Sequence, residues 1–212
     1  MSAAFYALGV DLAQTTDFHT QCCIEFFAPP GSERGLWEPP PAELRVVDLQ
    51  RLQRGMSYTD QAGRIIYTKQ RIGHACDVVV DATGVGRPVV DLLRSRGLDL
   101  VACTLTSGKE PTITKVRGGW DVSLPKALLV ASLRVSLEQH PRLRISNRLP
   151  LARALVDEML TFETRITAAG NETTGAVQGA HDDLVIACGL AVWWLTRKKP
   201  VARVMTLNFN RR

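Results

Sequence analysis

Apolar residues gather along this chain in short runs whose period changes, and the period tells which element each run forms. Residues 5–11, FYALGVD, are a nearly continuous apolar run closed by an acid, and residues 18–27, FHTQCCIEFF, follow across the polar turn AQTTD, so the two predict a hairpin. The Pro- and Gly-rich stretch APPGSERGLWEPPPAE (28–43) is expected to be a loop and the most mobile region, before a third strand in LRVVDLQRL. Residues 57–72 switch to helical spacing, with Ser57 or Thr59 as N-cap and Gly73 as the stop. DVVVDATG is a β-branched run of the kind buried on both faces of a parallel sheet; a helix over PVVDLLRSRG and a strand LVACTLT complete a βαβ unit. GKEPTITKVRGG reads as a basic loop. Helices are expected from Leu124 to about Gln139 and from Pro150 to about Leu160, then a hairpin centred on AAGNE and a last helix from His181 or Asp182 to about Arg197. The order β-β-β-α-β-α-β followed by helices, with no internal repeat, predicts one mixed α/β sheet domain over 1–212.

Length and composition narrow the class. With 212 residues, 45% hydrophobic and 22% charged, the chain suits one sizeable globular core rather than two domains or a disordered segment. The longest apolar run, Leu184 to Leu195, is shorter than the roughly 20 residues needed to span a bilayer and is bounded by charges, so it reads as a buried helix and no membrane partner is expected. The start lacks a basic segment ahead of its apolar stretch, unlike a secretion signal, which makes a cytoplasmic location the expectation. Cys22, Cys23, Cys76, Cys103 and Cys188 fall mostly in apolar runs without CxxC spacing, as buried thiols would, and Cys22 and Cys23 should face opposite sides of a strand. A net charge of +5, carried mostly by arginine, allows a nucleic-acid partner and equally an ordinary solvated surface.

The acids are more informative. Asp11 ends one apolar strand, Asp81 ends another, and Asp182 and Asp183 open the apolar helix. Taken singly, each could be a turn residue or a helix cap. Taken together, several carboxylates at one sheet edge would repel one another unless something cationic joined them, and an oxygen-seeking divalent ion, Mg2+ or Mn2+, answers that need.

GVDLAQTTDFH, VVVDATGVGRPVVDLL and AHDDLVIACGLA resemble, in order and spacing, the three acidic motifs of the nuclease domain of viral large terminase subunits, and LPKALLVASL and the segment before AHDD resemble the connecting elements. The resemblance runs from about residue 5 to 197, and its most specific part is His181 followed by two acids and an Ala-rich helix. It implies an RNase H-like fold and a metal-dependent endonuclease of double-stranded DNA. Asp11, Asp81 and Asp183 would coordinate metal, with Asp182 as a further ligand or a neighbour that holds one. Two ions would share the work, one activating water and one stabilising the departing 3′ oxygen. Helical spacing favours Asp183 as the inner ligand, since it shares a stripe with Ala187, Leu190, Ala191 and Trp194.

Other residues carry weaker signals. His181 could orient a ligand or phosphate, or simply cap the helix; Asp17 and His19 could approach the metals, or serve the turn and strand. Lys109, Lys115, Arg117 and Lys126 would suit phosphate tracking as one basic patch, or form a solvated face. DATGVG invites comparison with a phosphate-cradling loop, but the chain contains no G-x-x-x-x-G-K-[ST], which disfavours a nucleotide hydrolase. The ATPase motor that precedes the nuclease in full-length terminases is missing from these residues. By resemblance that motor, the small terminase subunit and the portal would be partners. A Holliday-junction resolvase or an RNase H-type enzyme would share the acids and the fold; a docking module without chemistry would have little use for all of them.

Overall fold

A computed structural model describes residues 5–12, 17–28, 42–73, 75–84, 86–166, 172–176 and 181–197. The strands are β1 (Phe5–Asp11), β2 (Thr20–Phe27), β3 (Glu43–Arg51), β4 (Cys76–Asp81), β5 (Leu100–Thr106), β6 (Thr112–Val116), β7 (Gly119–Pro125), β8 (Arg142–Ile145), β9 (Phe162–Ile166) and β10 (Glu172–Ala176). The helices are α1 (Tyr58–Ile72), α2 (Gly86–Ser95), α3 (Lys126–Glu138), α4 (Ala152–Thr161) and α5 (Asp183–Arg197). Eight strands form one mixed sheet in the order β6-β7-β5-β4-β1-β2-β3-β8, and β9 and β10 pair separately. This is the sheet of the RNase H-like fold: β1, β2 and β3 run as antiparallel neighbours, and β4 and β5 continue parallel from β1.

Strand alternation divides the core between the two faces of the sheet. Ala7, Cys22, Ile24, Val79 and Cys103 pack with α3, α4 and α5, while Leu8, Val10, Cys23, Val78 and Val80 pack with α1 and α2. Cys22 and Cys23 therefore do face opposite ways, and all five cysteines are buried and free. Helix α5 is buried on every side from Asp183 to Leu195, as expected of a helix apolar all round. It lies directly on β1: a Cβ on Gly9 would stand 1.9 Å from the Ala187 carbonyl oxygen, so only glycine lets the backbones meet there. On the other face, α1 starts at Ser57, whose hydroxyl accepts from the Asp60 N–H at 3.1 Å, and stops at Gly73 with φ +102°.

Two expectations need correction. The stretch read as a basic loop is a hairpin: Thr112–Val116 pairs with Gly119–Pro125 around a turn at Arg117 and Gly118, and β7 pairs in parallel with β5. Its β-branched alternation is interrupted by Lys115, which an exposed edge strand tolerates and a sequence pattern does not reveal. Leu124 consequently belongs to β7, and α3 begins two residues later at Lys126. The four-residue edge strand β8, RLRI, is too short and too basic to stand out. Residues 29–41 of the loop expected over 28–43 and the centre of the AAGNE hairpin lie outside the described residues, although the strands β9 and β10 flank that centre.

Candidate metal centre

Parity along the strands decides where the acids point. Asp11 shares the β1 face of Ala7 and Gly9, and Asp81 shares the β4 face of Asp77 and Val79; both are faces covered by α5. The parallel register β1–β4 places the C-terminal ends of both strands at one edge of the sheet. At the far end of α5, Trp194 donates from its indole nitrogen to Asp77 at 2.7 Å, fixing the axis of the helix against β4. The other end brings Asp183 to the same edge as Asp11 and Asp81. Gly86 contributes too: a Cβ there would stand 2.3 Å from the Asp81 carbonyl oxygen, so this glycine lets α2 begin tight against the end of β4. DATGVG thus serves close packing around Asp81.

The carboxylates feel one another. Burial, then the charges of Asp81, Asp183 and Asp182, push the Asp11 carboxyl well above its ordinary range, while Lys126 pulls it back. Asp81 is also raised, by burial first, against hydrogen bonds from Thr83, whose N–H donates to Oδ1 at 2.8 Å, and the charge of Lys126. Burial lifts Asp183 to about 6 against the opposing charge of Arg51. Its Oδ2 is buried with no hydrogen-bond partner among the described residues, and the nearest basic nitrogen, His181 Nδ1, stands 3.8 Å away. Asp182 differs: its side chain is 31% exposed and its Oδ2 meets the Lys126 ammonium at 3.5 Å. Among the described residues no three carboxylate, imidazole or thiol groups already close around a point where an ion would sit. Like charges held at one edge repel and splay, so that spacing is compatible with the shared field around Asp11. A set of acidic oxygens at one edge, one of them buried and unpartnered among the described residues, fits a hard divalent cation.

Sequence reasoning missed what holds Asp183 in place. Glu158 on α4 is buried, pairs with Arg51 at the end of β3, and through Oε2 accepts the N–H groups of Leu184 at 3.0 Å and Val185 at 3.3 Å. It satisfies helix donors that α5 cannot satisfy internally. The Thr20 hydroxyl donates to the Asp183 carbonyl at 2.9 Å. A glutamate 26 positions upstream of the Leu184 N–H it accepts leaves no local pattern; its place in the apolar stripe of α4 is the one sign.

The remaining candidates scatter. His19 lies on the opposite face, its Nδ1 3.1 Å from Gln61 Oε1 and its Nε2 2.7 Å from Gln21 Nε2, and burial lowers its pKa to about 4. It is a neutral core histidine. Asp17 is exposed in the turn before β2. His181 stands beside Asp183. Lys109, Lys115, Arg117 and Lys126 do not form one patch. Lys126 opens α3 inside the acidic site, and Lys109 precedes the end of β6 that lies level with it. Lys115 pairs with the level of Trp120, five residues back along β7 and so about 17 Å from the acidic edge. Arg117 sits in the turn beyond it.

No family model matches the chain. It is 27% identical over 146 residues to the large terminase subunit of Thermus virus P23-45, covering 69% of this chain and 26% of that protein. It is likewise 27% identical over 137 residues to the large terminase subunit of Thermus phage G20c, covering 65% and 24%. The chain thus spans about a quarter of the length of these curated relatives. Among solved structures it superposes on the large terminase nuclease of thermophilic phage G20c with bound magnesium, at a TM-score of 0.59 and 22% identity over 89% of this chain and 80% of that one. A cobalt-bound structure of the same nuclease matches at 0.59, 22%, 90% and 81%. The nuclease domain of the Thermus phage P74-26 large terminase matches at 0.56, 21%, 89% and 78%. The resemblance carried by the acidic motifs is borne out in sequence and in fold.

Proposed function

We propose that this chain is a divalent-metal-dependent endonuclease of duplex DNA that acts in viral genome packaging as the nuclease part of a large terminase. The observation that carries this reading is the Asp183 oxygen, buried and without a donor among the described residues, in the common field of Asp11 and Asp81. Asp11, Asp81 and Asp183 would hold the metal, Mg2+ or Mn2+ and two ions in all, with Asp182 beside them. Divalent cations bound there supply Lewis acidity toward the phosphodiester and activate water for its hydrolysis. The chain's own residues fix the oxygen donors: β1 and β4 set two of them, and Glu158 and Arg51 anchor the helix that sets the third. Lys126 offsets part of the negative charge and would lie against the polyanion on the β7 side. The magnesium and cobalt in the G20c nuclease support the cation class. A motor ATPase, a small terminase subunit and a portal are the partners this reading implies, in the cytoplasm of an infected cell, with the present residues forming one nuclease domain. No described helix is long and apolar enough to cross a membrane.

The test is plasmid cutting by the isolated chain. Slow nicking and linearisation without ATP, in Mn2+ or Mg2+, with little sequence preference and full loss in chelator, is the expected result. Manganese should support faster cutting than magnesium, whose strict octahedron tolerates imperfect geometry poorly. Cutting that survives chelator would contradict the metal mechanism, and strict ATP dependence would contradict a self-contained site. A preference for four-way junctions or RNA:DNA hybrids over linear duplex would move the chain to the resolvase or RNase H-type reading.

A further inference from the structure

Three side chains outside the carboxylate set meet beside the start of α5. Arg54, exposed in the turn that follows β3, lays its guanidinium over the Phe18 ring at 4.3 Å from the centroid, with one nitrogen 3.4 Å from His181 Nε2. His181 meets the same ring edge-on at 5.4 Å, and its other nitrogen stands 3.8 Å from Asp183 Oδ2. Several other arginines pair with carboxylates: Arg51 with Glu158, Arg87 and Arg94 with Asp121, Arg144 with Glu43, Arg153 with Asp157. No carboxylate pairs with Arg54 among the described residues. Its cation lies over an aromatic ring, exposed, next to a site of opposite sign.

The sheet order gives this cation a direction. Asp81 and Asp11 occupy the central strands β4 and β1, Lys126 follows β7 on one side, and Arg54 follows β3 on the other. β3 lies two strands from β1, or about 10 Å, and successive nucleotides of a duplex strand rise roughly 3.4 Å along its axis. A strand laid over the acids with its scissile phosphate at the metals would therefore bring a neighbouring phosphate over Arg54. A planar guanidinium already stacked on an aromatic ring loses little freedom when it takes two phosphate oxygens. We infer that Arg54, braced by Phe18 and His181, is a positioning residue that grips a DNA backbone phosphate within a few nucleotides of the scissile bond on the β3 side. The role rests on the nuclease reading proposed above.

The experiment compares wild type, Arg54→Gln, Arg54→Lys and the remote control Arg153→Gln. Duplex affinity is measured across a salt series with calcium replacing the catalytic metal, and plasmid nicking in manganese gives KM and kcat. Arg54→Gln should weaken binding and raise KM by roughly tenfold, as loss of a charged hydrogen bond does, with kcat within about twofold. The slope of log affinity against log salt should become shallower by about 0.9, the share of one phosphate. Arg54→Lys should keep the wild-type slope and recover part of the affinity, and Arg153→Gln should change nothing. Wild-type affinity, slope and KM in Arg54→Gln, with wild type cutting normally, would overturn this inference and leave the nuclease reading standing. A fall in kcat with KM and slope unchanged would also overturn it, placing Arg54 behind His181 instead of against DNA. A wild-type chain that neither binds nor cuts duplex would remove the nuclease reading, and the phosphate contact with it.

Discussion

Asp183→Asn should cut DNA at least about a hundredfold more slowly than wild type, the scale of losing one preorganised contact to transition-state charge. In chelator, however, it should melt a few degrees higher than wild type. Both effects come from one atom, the buried Asp183 oxygen without a donor among the described residues. Burial raises this carboxyl to about 6, against roughly 3.9 in an unfolded chain. A raised carboxyl binds its proton more tightly in the folded state, so its environment is tolerated at low pH. Stability then falls as pH rises from about 4 through 6 and stays reduced at neutral pH. Asparagine carries no charge to strand there, so the variant should lose that part of the pH dependence. Adding manganese should raise the melting temperature of wild type much more than that of the variant. Melting curves at pH 5 and 7.5, with and without metal, check this beside the cutting assay; full activity in Asp183→Asn would sink the site assignment.

Glu158→Ala should be the most destabilising single change near the site. It strips a buried partner from Arg51 and the acceptor from two helix N–H groups. Breaking one side of a buried ion pair costs about 3–5 kcal/mol. In a domain of this size each kcal/mol moves the midpoint by about 2–4 °C, so melting should fall by roughly 10 °C. Glu158→Gln keeps an oxygen for the helix donors while losing the charge, and should fall less. Activity should drop in both, because Leu184 and Val185 directly follow Asp183, the proposed metal ligand at the end of the helix that Glu158 holds in place. A melting temperature within about 2 °C of wild type for Glu158→Ala would show that α5 is anchored by its apolar packing alone.

How much of this was legible in the chain follows from where each signal is stored. Strand period put Asp11 and Asp81 at strand ends; that both point to the face covered by α5 comes from the β1–β4 register, which the sequence does not encode locally. The burial of Asp183 against the exposure of Asp182 was readable from the stripe through Ala187, Ala191 and Trp194. Glu158 and Arg51 were not readable, since their meeting depends on how α4 crosses the end of β3, and no local spacing encodes a contact made in tertiary structure. The β6–β7 hairpin was hidden by its own edge position: Lys115 protects an open strand from pairing, and in the sequence it looks like a loop residue. For the same reason Lys115 and Arg117 were grouped with Lys126, which the fold places some five β-residues away along the sheet. Sequence proximity to Asp11 drew His19 toward the acidic site, and strand parity turned it to the other face.

The central claim is that Asp11, Asp81 and Asp183 share divalent metal. Crystals of the chain soaked in manganese, with anomalous scattering recorded for wild type and Asp183→Asn, test it most directly. Manganese peaks bounded by the Asp11, Asp81 and Asp183 carboxylates in wild type, weakened or lost in the variant, are the result expected. Manganese bound only elsewhere, or bound at this edge equally well without the Asp183 carboxylate, would contradict it.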